Sequence, residues 1–104
     1  MTGTEPGEER GGADWAAAVL VRVEGRVQGV YFRVSIREVA LRLGVAGWVR
    51  NHHDGSVEAF FQGDAADVQQ AVDWCRHGPD GAHVERLTLE LAEPDPRWPG
   101  FSVR

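Results

Sequence analysis

From Ala18 to Glu24 the chain alternates, with Val19, Val21 and Val23 on one face and Arg22 and Glu24 on the other. That period of two predicts a half-buried strand. After a glycine turn the period changes. Phe32, Ile36, Val39, Ala40 and Leu43 recur at i, i+4, i+7, i+8 and i+11, an amphipathic helix stopped by Gly44. Val45 to Asn51 and Ser56 to Gln62 read as two strands. His52-His53-Asp54-Gly55 joins them and carries an Asp-Gly hairpin signal. Asp64 is placed to cap a second helix that buries Val68, Ala71, Val72 and Cys75. Gly78-Pro79-Asp80-Gly81 ends that helix as a loop. His83 to Ala92 is a strand in which Leu87, Leu89 and Leu91 alternate. A Pro-rich loop from Pro94 to Pro99 leads to a short last strand, Phe101 to Val103.

The order is β-α-β-β-α-β plus a short terminal strand. It predicts an α+β fold, the ferredoxin-like sandwich, with two helices on one face of an antiparallel sheet. Residues 1–14 are rich in Gly and acidic groups and nearly free of large apolar side chains, so a flexible acidic tail is expected there. Residues 15–104 then form one domain, with no internal repeat. Because this fold hosts many activities, function has to be argued from side chains.

Composition narrows the classes. At 42% hydrophobic residues, 104 residues can bury a core without disulfides or metal. Cys75 is the only cysteine, which suits a reducing compartment, and a cytoplasmic location is expected. No apolar run approaches the roughly 20 residues of a membrane helix, and no signal peptide is expected. The net charge of −5 argues against a nucleic-acid partner. Charge is unevenly placed, however. Every basic residue is arginine, and Arg22 to Arg50 holds six arginines against Glu24 and Glu38, a local positive field suited to a small anion.

The chemistry concentrates in that segment. Gly25 and Gly29 bracket a turn between strand and helix, where successive N–H groups can form a nest at the helix's positive end. Arg33, in the first turn of the helix, can grip two oxygens of one anion, although there it opposes the macrodipole. A tight structural turn with a solvated arginine explains the same spacing equally well. Asn51 ends the second strand, where it can orient a water or donate to a carbonyl, or serve simply as a turn residue. The P-loop pattern is absent. His52 and His53, if on a strand, face opposite sides and cannot share a metal, and turn positions suit them better. No metal site and no cofactor are expected. Cys75 reads as core, Trp48 and Trp74 as packing residues.

Gly25-Arg26-Val27-Gln28-Gly29-Val30-Tyr31-Phe32-Arg33, followed by Leu43-Gly44-Val45-Ala46-Gly47-Trp48-Val49-Arg50-Asn51 and His52-His53-Asp54-Gly55, closely resembles the acylphosphatases. The resemblance covers Val19 to Arg104 and implies the same sandwich fold. It implies hydrolysis of a carboxyl–phosphate bond to a carboxylate and inorganic phosphate, without metal or phosphoenzyme. It assigns a phosphate cradle to the loop Arg26, Val27, Gln28, Gly29, Val30 and Tyr31. Arg33 then binds phosphate and Asn51 positions the attacking water. A carboxylate is a good leaving group, so positioning and charge stabilisation suffice. The chain departs from the family pattern at Ile36, where many members carry threonine.

The leading expectation is therefore a monomeric acylphosphatase acting on a small acyl phosphate, with no nucleic-acid or membrane partner. The alternative is a non-catalytic module binding carbamoyl phosphate or another anion. An RNA-binding domain is a third reading, disfavoured by the net charge.

Overall fold

A computed structural model describes residues 16–104. The expected tail, residues 1–14, lies outside the described residues. The elements are β1 (Ala16–Arg26), α1 (Phe32–Leu43), β2 (Ala46–Asn51), β3 (Val57–Asp64), α2 (Ala65–Cys75), β4 (His83–Leu91) and β5 (Phe101–Val103). The strands form one sheet in the order β4-β1-β3-β2-β5. Neighbours are antiparallel except β2 and β5, which run parallel. This is the expected ferredoxin-like α+β fold.

The alternation in β1 sets the core. Val19, Val21 and Val23 pair with Phe61, Ala59 and Val57, and all six are buried. Helix α1 adds Phe32, Ile36 and Ala40, and α2 adds Val68, Ala71, Val72 and Cys75. Ile36, the family departure, is 1% exposed, so this position contributes packing under α1 rather than a hydroxyl. Asp64 caps α2 as its position predicts, its carboxylate accepting from Ala66 N at 3.0 Å.

Strand bounds differ from the pattern by one or two residues, most at β1 and β3. β1 extends to Ala16 and Arg26, because its ends pair with Asp64 and His83 through backbone groups that need no apolar side chain. The alternating leucines of β4 are also only partly covered. Leu87 packs on the core, but Leu89 is 40% and Leu91 is 86% exposed. β4 is an edge strand, and α2 packs chiefly over β1 and β3.

Candidate active site

Topology brings two distant segments to one edge of the sheet. β1 and β2 are both antiparallel to β3, which lies between them, so they run in the same direction. Their C-terminal ends, Arg26 and Asn51, therefore lie at the same side of the molecule. The exit from β1 passes through a register shift between Glu24 and Gly25. Gly25 has φ 128°, and a Cβ there would meet the His83 carbonyl oxygen at 2.1 Å. Only glycine allows this close crossing, which turns the chain into the loop before α1.

The loop then enters α1 in a left-handed conformation, with Gly29 at φ 75° and Tyr31 at φ 61°. Tyr31 is the only non-glycine residue among those described with positive φ. Left-handed backbone costs an L-residue roughly 1 to 2 kcal/mol, and backbone strain of this kind clusters at functional sites. Its neighbour Phe32 anchors the helix start: it is buried and meets Trp74 edge-on at 5.6 Å.

The two helices begin differently. α2 has its Asp64 cap and Asp67 in the first turn, whereas α1 has neither a side-chain cap bond nor an acidic residue there. The first helical bond of α1 runs from Ser35 N to Tyr31 O at 3.0 Å. The preceding N–H groups are the donors that a helix cannot satisfy internally, and at an uncapped start they suit an anion. Arg33 adds full positive charge at the same place.

A cleft of about 290 Å³ opens here, lined by Val27, Gly29, Tyr31, Phe32, Arg33, Val34 and Asn51. Arg33 and Asn51 thus share one cavity. Of the loop residues, Val27, Gly29 and Tyr31 reach its wall, while Arg26, Gln28 and Val30 do not. Arg26 is exposed and pairs with His83 at the end of the sheet. A larger recess of about 370 Å³ is walled by Glu24, Asp54 and Glu85. Its carboxylates repel an anion, so the smaller cleft suits an anion better.

Gln28 has a different place from a cradle-lining residue. Its side-chain amide donates to the carbonyls of His52 at 2.8 Å and Ser56 at 2.9 Å. It ties the loop to the β2–β3 turn that follows Asn51. Asp54 shapes that turn by accepting from Ser56 N at 2.9 Å and Ser56 Oγ at 2.6 Å. His52 and His53 leave the strand here, and their rings lie 4.4 Å apart rather than on opposite faces. His52 Nδ1 is buried without a hydrogen bond, 3.3 Å from an Asp54 oxygen.

One contact has no signal in the sequence pattern. Arg33 Nη1 donates to the main-chain oxygen of Arg104 at 2.9 Å, across 71 positions of chain. Only the parallel pairing of β5 with β2, with α1 packed over both, makes these residues neighbours.

Comparison with known proteins matches the chain over most of its length. A family model described as acylphosphatase matches residues 19–103. The chain is 57% identical over 80 residues to an acylphosphatase of Gloeobacter violaceus, covering 77% of this chain and 86% of that protein. The structure of an acylphosphatase from Coxiella burnetii superposes with a TM-score of 0.85 at 31% identity, covering 92% of this chain and 100% of the other. The crystal structure of acylphosphatase from Bacillus subtilis gives 0.79 at 30% identity, covering 84% and 97%.

Proposed function

The chain belongs to the acylphosphatase family, a family of hydrolases, and we propose that its chemistry is divided between Arg33 and Asn51. It hydrolyses the carboxyl–phosphate bond of a small acyl phosphate. Arg33 and the N–H groups of the Arg26–Tyr31 loop hold the phosphate oxygens, and Asn51 orients water for attack on phosphorus. The P–O bond to the acyl group breaks, its electron pair leaves with the carboxylate, and a phosphate oxygen takes the proton of the water. Asparagine is no base, and none is needed with so good a leaving group. The supporting observation is that Arg33 and Asn51 line one cleft at an uncapped helix start.

We place the activity on a monomer in the cytoplasm, independent of metal and cofactor, nucleic acid and membrane. The lone cysteine and the net charge of −5 support this setting. No helix among the described residues is long and apolar enough to cross a membrane.

Phosphate release from benzoyl phosphate in chelator-treated buffer tests the mechanism. Arg33→Ala should abolish turnover and weaken phosphate inhibition. Asn51→Ala should lower turnover while leaving phosphate inhibition intact; loss of inhibition in that variant would contradict the water-positioning role.

A further inference from the structure

The main-chain oxygen that receives Arg33 belongs to a residue whose own side chain is clamped on the opposite face of the sheet. β5 alternates about the sheet plane. Phe101 points to the helix side, where it stacks with Phe61 at 5.8 Å. Three residues later, the Arg104 guanidinium lies over Trp48 at 4.9 Å and Trp98 at 5.4 Å, on the face away from the helices. Its backbone N–H donates to Val49 O at 2.8 Å, and its main-chain oxygen accepts from Arg33 Nη1 at 2.9 Å. Arg104 therefore connects a surface aromatic pair to the charged group in the cleft.

Both tryptophans are themselves fixed. Trp48 stacks on Phe60 at 6.2 Å, and Phe60 is only 6% exposed. Trp98 belongs to the loop that carries the chain from β4 at one sheet edge to β5 at the other. Gln62 of β3 pins that loop: its amide nitrogen donates to Asp95 O at 2.7 Å and Trp98 O at 3.1 Å. Its amide oxygen accepts from Asp95 N at 2.6 Å. A short strand end held only by its backbone pairing would fray. Stacking a guanidinium between two indoles restrains it.

We propose that Trp48, Trp98 and Arg104 form a positioning clamp that holds the Arg104 main-chain oxygen, and through it aims the Arg33 guanidinium at the phosphate site. Trp98 and Arg104 are positioning residues that touch no substrate. The inference rests on the reading of Arg33 as the phosphate-gripping side chain. A bonded Nη1 leaves the rest of the guanidinium fork to face the anion in a fixed plane, and such preorganisation lowers the ordering cost of binding.

The test is the inhibition constant for inorganic phosphate, measured alongside KM and kcat for benzoyl phosphate and alongside Tm. Variants are Trp98→Ala, Trp98→Phe, Arg104→Ala and Arg104→Lys. Trp98→Ala and Arg104→Ala should weaken phosphate inhibition and raise KM about three- to tenfold, since each exposed cation–π contact is worth a factor of a few. Trp98→Phe retains an aromatic face and should recover most of that loss, and Arg104→Lys, which keeps the cation but not the planar stack, should recover part of it. In an Arg33→Ala background, Trp98→Ala should change phosphate binding no further.

A lowered Tm with an unchanged phosphate inhibition constant in both alanine variants would overturn the clamp, leaving only a structural role. So would failure of the conservative variants to recover. If Arg33→Ala itself left phosphate inhibition at the wild-type level, the reading of Arg33 would fall first. The clamp alone fails if Arg33→Ala weakens inhibition and the clamp variants do not alter it.

Discussion

Gln28→Ala removes the tie between the cradle loop and the β2–β3 turn. Two hydrogen bonds are lost, to His52 O and Ser56 O. At about 1 kcal/mol each, the change costs about 2 kcal/mol. For a domain of this size that lowers Tm by about 8 to 16 °C. The kinetic effect should exceed what unfolding explains, because Gln28 sets the distance between the loop and the strand end bearing Asn51. A drift of the order of 1 Å between the proposed phosphate site and the proposed water position costs up to about a hundredfold in rate. The expected result is therefore a kcat/KM lowered ten- to a hundredfold, roughly, at a temperature where the variant remains fully folded. Gln28→Glu should fall further, because an ionised carboxylate offers no donor to the two carbonyls and adds negative charge beside an anion site. Urea unfolding gives the first quantity and phosphate release from benzoyl phosphate the second. A destabilised Gln28→Ala with wild-type kcat/KM would refute the reasoning, since the two bonds would then hold the loop without setting the site's geometry.

Three further results are expected. Asp64→Ala loses the α2 cap at a cost of about 1 kcal/mol, or about 4 to 8 °C in Tm, with no change in phosphate inhibition; altered inhibition would show that the two helix starts are coupled. Cys75 is buried with its thiol pushed up to about 12 by desolvation, so iodoacetamide at mildly alkaline pH should alkylate it only after unfolding. Equal rates in native and unfolded protein would contradict that burial. Hydrogen bonds from the Arg97 side chain and backbone hold the Asp95 carboxyl down at about 2. Its folded value lies below the unfolded value of about 3.9, so its contribution is full above about pH 4 and is lost as pH falls toward 2. Arg97→Ala should flatten the acid loss of stability in that window; an unchanged profile would remove Asp95 from the account.

Much of this molecule was legible in its sequence because the relevant signals are local. Valines at period two and apolar residues at helical spacing identify β1 and α1, since each face must be buried in its own register. Asp64 and Gly44 mark helix ends because capping is settled within a few residues. The glycines around Gln28 and the charge of Arg33 mark the turn as a candidate anion site or a tight structural turn, since loop geometry and charge are written in consecutive positions. The sequence order further implies that β1 and β2 share a direction, which puts Asn51 near the loop.

Tertiary structure alone decided the rest. Gln28 reads as one more loop residue until the fold brings the His52 and Ser56 carbonyls to its amide. Leu89 and Leu91 look like core residues until sheet order makes β4 an edge beyond the reach of α2. Arg104 and Arg33 have no local relation at all. They meet because β5 pairs in parallel with β2, which requires the loop after β4 to cross the sheet and be pinned by Gln62. Short-range chemistry repeats with the period of its own element and can be read along the chain. Contacts made by crossing the sheet depend on which strands become neighbours, and that is set by the burial of the whole core at once.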